Sequence, residues 1–78
     1  MNAPMTVEEI MSKQVETIPA GSSVELAIEK MAQKEIGSLV VTSKIGPIGI
    51  LSERDLVSKL AAKGMNPKGT MVTEVMSG

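Results

Sequence analysis

The chain has no cysteine, no histidine and no aromatic residue. Without cysteine there is neither a disulfide nor a thiolate metal site, and without histidine the commonest general base and nitrogen ligand are missing. The carboxylate pairs Glu8-Glu9 and Glu53-Asp55 are adjacent or nearly so and read as solvated groups, so the chain is not expected to be an enzyme or to hold a metal. The missing Phe, Tyr and Trp take away the side chains that bury most area, which leaves Val, Ile, Leu, Ala and Met to build the core. No apolar run approaches the ~20 residues that span a bilayer. Met1-Asn2-Ala3-Pro4-Met5 lacks the basic and apolar regions of a signal peptide, so a cytoplasmic location with no membrane partner is expected. A one-signed charge excess is absent too. Lys13, Lys30, Lys34, Lys44, Arg54, Lys59, Lys63 and Lys68 are scattered among nine acidic residues, the net charge is −1 and the pI is ≈ 5.3. That balance argues against nucleic acid as the primary partner.

What is present is one small domain. The 78 residues are 42% hydrophobic and 22% charged, an ordinary globular composition. Domains near this size bury roughly 60% of their surface, and here no large ring or covalent staple reinforces the core. Self-association, as a homodimer or a higher oligomer, is the expected remedy.

Val7-Glu8-Glu9-Ile10-Met11 reads as a short helical turn before Ser12-Lys13-Gln14. Val15-Glu16-Thr17-Ile18 alternates as a strand that Pro19-Ala20-Gly21 ends. Ser22 with Glu25 forms a capping box, or Ser23 serves as the cap instead. Val24, Ala27, Ile28, Met31 and Ala32 then mark one helical face, with Lys34 in the last turn and Gly37 as the stop. Ser38-Leu39-Val40-Val41-Thr42 and Pro47-Ile48-Gly49-Ile50-Leu51 make an antiparallel hairpin around Ser43-Lys44-Ile45-Gly46. A second helix runs from Glu53 to Lys63 and stops at Gly64, and Asn66-Pro67-Lys68-Gly69 reads as a linker. The class is α+β in the order β-α-β-β-α: a three-stranded mixed sheet with two helices, its first two strands parallel through a right-handed crossover. Such a lopsided layer leaves apolar surface uncovered. Leu26 and Val57, at the margins of their helical faces, suit either that surface or the core.

Two features carry the functional reading. The first is Gly49-Ile50-Leu51-Ser52-Glu53-Arg54-Asp55, a strand that passes through a serine cap into a helix. With Ser52 as N-cap, Asp55 falls at N3, and a hydroxyl, a carboxylate and backbone N–H groups gather where a phosphate and a ribose would fit. The same spacing also describes a plain capping box. Arg54, unfavourable to the helix dipole in the first turn, either reaches acids at the surface or meets an anion. The second feature is a repeat. Val7-Glu8-Glu9-Ile10-Met11-Ser12 and Val72-Thr73-Glu74-Val75-Met76-Ser77 share the pattern Val-x-Glu-[Ile/Val]-Met-Ser at an offset of 65 residues.

The element order, the Met-Ser before the first strand, Ile36-Gly37-Ser38-Leu39-Val40-Val41 and Gly49-Ile50-Leu51-Ser52-Glu53-Arg54-Asp55 together resemble a cystathionine-β-synthase-type (CBS) domain. The resemblance implies a domain plan of an N-terminal tail (1–6), one CBS motif (7–64), and a linker with the truncated start of a second motif (65–78). It also implies sheet-to-sheet pairing with a second copy, and a regulatory role through a cleft that binds AMP, ADP, ATP or S-adenosylmethionine. In that arrangement Asp55 accepts from ribose hydroxyls, Ser52 and Arg54 hold phosphate, and adenine lies among Ile36, Gly37, Ser38 and the segment from Lys13 to Val15. The alternative is a structural homodimerisation module without a ligand, in which Gly37 ends a helix, Ile36 is core, Lys13 is solvated, and Ser52 and Asp55 are caps.

Overall fold

A computed structural model describes residues 15–78 as β1 (Thr17–Pro19), α1 (Val24–Lys34), β2 (Ser38–Ser43), β3 (Gly46–Ser52) and α2 (Glu53–Lys63), followed by a 3₁₀ turn at Val72–Glu74. The sheet order is β1-β2-β3. β1 runs parallel to β2 with Ile18 opposite Val41, and β2 is antiparallel to β3 with Leu39 opposite Leu51. This is the expected three-stranded mixed sheet with two helices. The turn expected at Val7 to Met11 lies outside the described residues.

Strand alternation sends Ile18, Leu39, Val41 and Leu51 to one face, where Val24, Ala27 and Met31 of α1 and Leu56 of α2 meet them in a single cluster. Ile28 and Ala32 fit the apolar period of α1 but stay exposed. The helix therefore buries a narrower stripe than its sequence pattern suggests. Leu26, 49% exposed, and Val57, 69% exposed, both belong to the uncovered surface.

The caps show how each helix is placed. Ser23, not Ser22, caps α1, its hydroxyl accepting the Leu26 N–H at 3.1 Å. The other two first-turn donors find distant carbonyls: Val24 N–H bonds Thr70 and Glu25 N–H bonds Pro67, at 2.8 and 3.0 Å. No donor of that terminus is left over. At the other end the helix closes on Glu35 in the left-handed region, φ 53°, rather than on Gly37. Gly37 is released for another task, its carbonyl accepting the Glu53 N–H at 2.9 Å and joining the start of β2 to the start of α2. α2 follows expectation, capped by Ser52 and ended by Gly64 at φ 61°.

The stretch after α2 is more than a linker. Asn66 turns the chain by accepting the Lys68 N–H on its side-chain oxygen at 3.0 Å. Val72 and Val75 then enter the core with no exposed surface. Val72 N–H bonds the Ser22 carbonyl at 2.9 Å, Glu74 accepts the Met71 N–H at 2.7 Å, and Lys59 donates to the Val75 carbonyl at 2.9 Å. Ser77 pairs with Ile50 through two backbone bonds of 2.8 Å, adding a short fourth rung beside β3.

Met76 lies directly over Gly49. A Cβ at residue 49 would stand 2.6 Å from the Met76 sulfur and 2.9 Å from the Ser77 carbonyl oxygen, and the second of these is backbone that cannot swing aside. Gly49→Ala is therefore expected to lower stability by about 1–3 kcal/mol, the usual cost of overpacking. Thermal melts of the variant and the parent measure it, and equal midpoints would show that this segment does not close on β3 in solution.

Candidate ligand-binding site

Ser38 begins β2 and stands opposite Ser52 at the end of β3. That one ladder pair brings together the two sequence segments suspected of binding. On one side Val15, Glu16, Ile36, Ser38 and Val40 line a cleft of about 200 Å³ on the outer face of the sheet. Of the residues expected around adenine, Val15, Ile36 and Ser38 share this cleft, and Gly37 connects two of them. Lys13 lies outside the described residues. Ile36 is half-buried and Ser38 exposed, so both present surface here.

On the other side lies the mouth of α2. The Ser52 hydroxyl accepts the Asp55 N–H at 3.1 Å. The Asp55 carboxylate also reaches beyond its own turn: its Oδ2 accepts the Ser77 hydroxyl at 3.1 Å. The carboxyl is held below the ordinary aspartate value, first by the Ser52 hydroxyl, then by Ser77 and the Lys59 ammonium, with partial desolvation opposing them. Asp55 is thus an anion at neutral pH, engaged both by its own turn and by Ser77.

Fewer helix donors are open than the sequence suggests. Glu53 N–H goes to Gly37 and Asp55 N–H to Ser52, which leaves the Arg54 N–H without an acceptor among the described residues. The Arg54 side chain is exposed and has no ion-pair partner among them either. A phosphate at this terminus would rest on the Arg54 backbone N–H and guanidinium.

Sequence reasoning passed over two residues. Glu16 forms a wall of the cleft, and its carboxylate is neutralised by Lys30 and Lys34 at 3.6 and 3.7 Å. Both lysines come from α1, so only the packing of that helix beside β1 reveals the group. Ser77 sits on Asp55, and the repeat in which it occurs was its only signal.

A larger groove of about 470 Å³ runs between the helices, lined by Ile28, Met31, Leu56, Val57 and Leu60 with Glu53 at its rim. Its walls are apolar and offer nothing to ribose or phosphate. The smaller cleft mixes apolar and polar walls, and its volume falls below the ~300–1,000 Å³ of ligand pockets.

Comparison with known proteins agrees with this geometry. The family model described as "CBS domain" matches residues 7–62. An uncharacterized protein of Methanopyrus kandleri is 40% identical over 77 residues, which cover 94% of this chain and 38% of that protein. The hexameric CBS-CP12 protein from bloom-forming cyanobacteria superposes with a TM-score of 0.80 at 36% identity, over 95% of this chain and 44% of the other. A protein with CBS domains from Burkholderia ambifaria gives 0.82 at 32% identity, over 94% and 58%. The chain spans roughly two fifths to three fifths of these proteins. A small α+β unit with this strand order, cap and polar junction, matched by the family model over most of its length, belongs to the CBS domain family.

Proposed function

We propose that the chain is a regulatory module that binds an adenosine-containing nucleotide, AMP, ADP, ATP or S-adenosylmethionine, in a cleft closed by a second CBS motif. The observation that carries this reading is the Asp55 carboxylate, ionised and half-exposed beside Ser52 and one ladder rung from the Ser38 cleft. An ionised carboxylate accepts from a ribose hydroxyl with a charge-assisted bond. Aliphatic walls from Val15, Ile36 and Val40 receive a flat base through shape and apolar contact. The Gly37 backbone allows close approach, and Arg54 meets the phosphate.

The incomplete volume of the cleft and the apolar outer face, where Ile50 is 53% exposed, both support a second motif lying across the sheet. Regulation then follows from linkage: a nucleotide that contacts both motifs favours the arrangement in which both can reach it. The hexameric state of the cyanobacterial relative lends support to self-association.

Titration calorimetry with AMP, ATP and S-adenosylmethionine tests the reading. Asp55→Ala is expected to weaken binding about 10- to 100-fold, as for loss of a hydrogen bond to a charged group. Binding that Asp55→Ala leaves untouched would remove this site. No binding by any of the three at millimolar concentration, together with a stable dimer, would support the purely structural module.

The pH dependence has a definite sign. Because the Asp55 pKa is lowered, the ionised form persists through the ordinary aspartate range, and affinity should be flat from about pH 5 to 8. Any stability that the ionised form contributes is complete above the unfolded pKa and is lost only as pH falls through the lowered folded value. The probe is adenosine, which carries no titrating phosphate, and an affinity for it that already drops between pH 7 and 6 would exclude Asp55 as the acceptor.

A further inference from the structure

The donor that sits on Asp55 Oδ2 is an aliphatic hydroxyl, the same chemical group that a ribose presents. It belongs to Ser77, which reaches the carboxylate at 3.1 Å from 22 residues along the chain. The other hydroxyl at this carboxylate has a structural duty. Ser52 accepts the Asp55 N–H as the cap of α2 while also bonding the carboxylate, so its position is set by the helix. Ser77 has no such duty. Its side chain is exposed, and Asp55 is the sole partner of its hydroxyl among the described residues.

The backbone beneath that hydroxyl is nevertheless anchored. Ser77 N–H and carbonyl both pair with Ile50 at 2.8 Å, and Val72 and Val75 seat the same segment in the core. Lys59, one turn along α2 from Asp55, donates to the Val75 carbonyl at 2.9 Å. A tethered donor competes at a high effective concentration, whereas a free ribose has only its own concentration to set against it. Turning the Ser77 side chain toward water breaks one exposed hydrogen bond and leaves the backbone rung in place.

We propose that Ser77 is an autoinhibitory latch on the ribose acceptor: its hydroxyl occupies Asp55 as an internal stand-in for a sugar hydroxyl, and an adenosine ribose binds by displacing it. The inference rests on the reading that Asp55 receives the ribose. It adds a threshold to that site, because the chain's own donor must be outcompeted before the ligand is held. Coupling is reciprocal, so a bound ribose loosens the tie between residues 72–77 and α2 by the same factor as that tie weakens the ribose.

Calorimetry with adenosine on the parent, Ser77→Ala and Ser77→Thr tests the latch. Ser77→Ala is expected to bind about 3- to 10-fold more tightly, the worth of one ordinary hydrogen bond, while melting no higher than the parent. A residue that merely supported the fold would not tighten binding when removed. Ser77→Thr keeps the hydroxyl and is expected to bind within about twofold of the parent. Equal or weaker binding by Ser77→Ala, or Ser77→Thr binding as tightly as Ser77→Ala, would overturn the latch and leave the ribose site standing wherever Asp55→Ala still weakens binding. Adenosine binding by neither the parent nor Ser77→Ala, or binding that Asp55→Ala does not alter, would overturn the ribose site and the latch with it.

Discussion

The closure of the core by residues 70–77 is the constraint on which the rest depends. Among the described residues ten small or aliphatic side chains form the buried cluster, the chain having no aromatic ring, and two of them arrive on this one segment. The same segment supplies the Thr70 carbonyl to the first turn of α1 and pairs Ser77 with the β3 edge. A helix terminus, a sheet edge and the apolar interior are therefore satisfied together. Loss of the segment would expose buried valines and orphan backbone groups at once, and those costs add in the same direction.

That closure also shapes the site. Asp55 is held by groups of opposite origin: Ser52 from its own turn, Lys59 one helical turn on, and Ser77 from far along the chain. Their combined field keeps the carboxylate ionised and aimed, with no sequestered charge that would demand a buried partner. On the cleft side Glu16 is balanced by Lys30 and Lys34, so a second carboxylate does not repel an anionic ligand as strongly as its position alone would imply. The junction presents apolar walls and a small set of polar groups at one rim.

Much of this was legible from local signals. Ser52 and Gly64 bracket α2 as read, because an N-cap hydroxyl and a left-handed glycine act within a single turn. The hairpin and the parallel β1–β2 pair follow from turn chemistry and crossover geometry. The errors came where a distant contact decided between local options. Of the two caps the sequence offered, Ser23 is the one used, while the Ser22 carbonyl accepts from Val72, fifty residues away. Glu35 took the left-handed position and released Gly37, whose carbonyl was required by Glu53. Ile28 and Ala32 kept a helical period without burial, since the sheet offers α1 only a narrow strip. Periodicity reports which face is apolar, and what covers that face is tertiary information.

The sheet margins have a consequence for how the module can assemble. Glu16 and Ala20 direct their peptide groups toward β2, so Thr17 and Pro19 between them face the open side of β1. There the Thr17 carbonyl is taken by the Lys30 ammonium at 2.6 Å, the Pro19 carbonyl by the Ser22 N–H, and proline has no N–H to offer. At the opposite margin Ile50 has both backbone groups committed to Ser77. Little is left on either flank to template an added strand, which guards against the end-on polymerisation that threatens small β-containing units. Any pairing of copies that the proposed function calls on is thereby steered toward side chains rather than main-chain ladders.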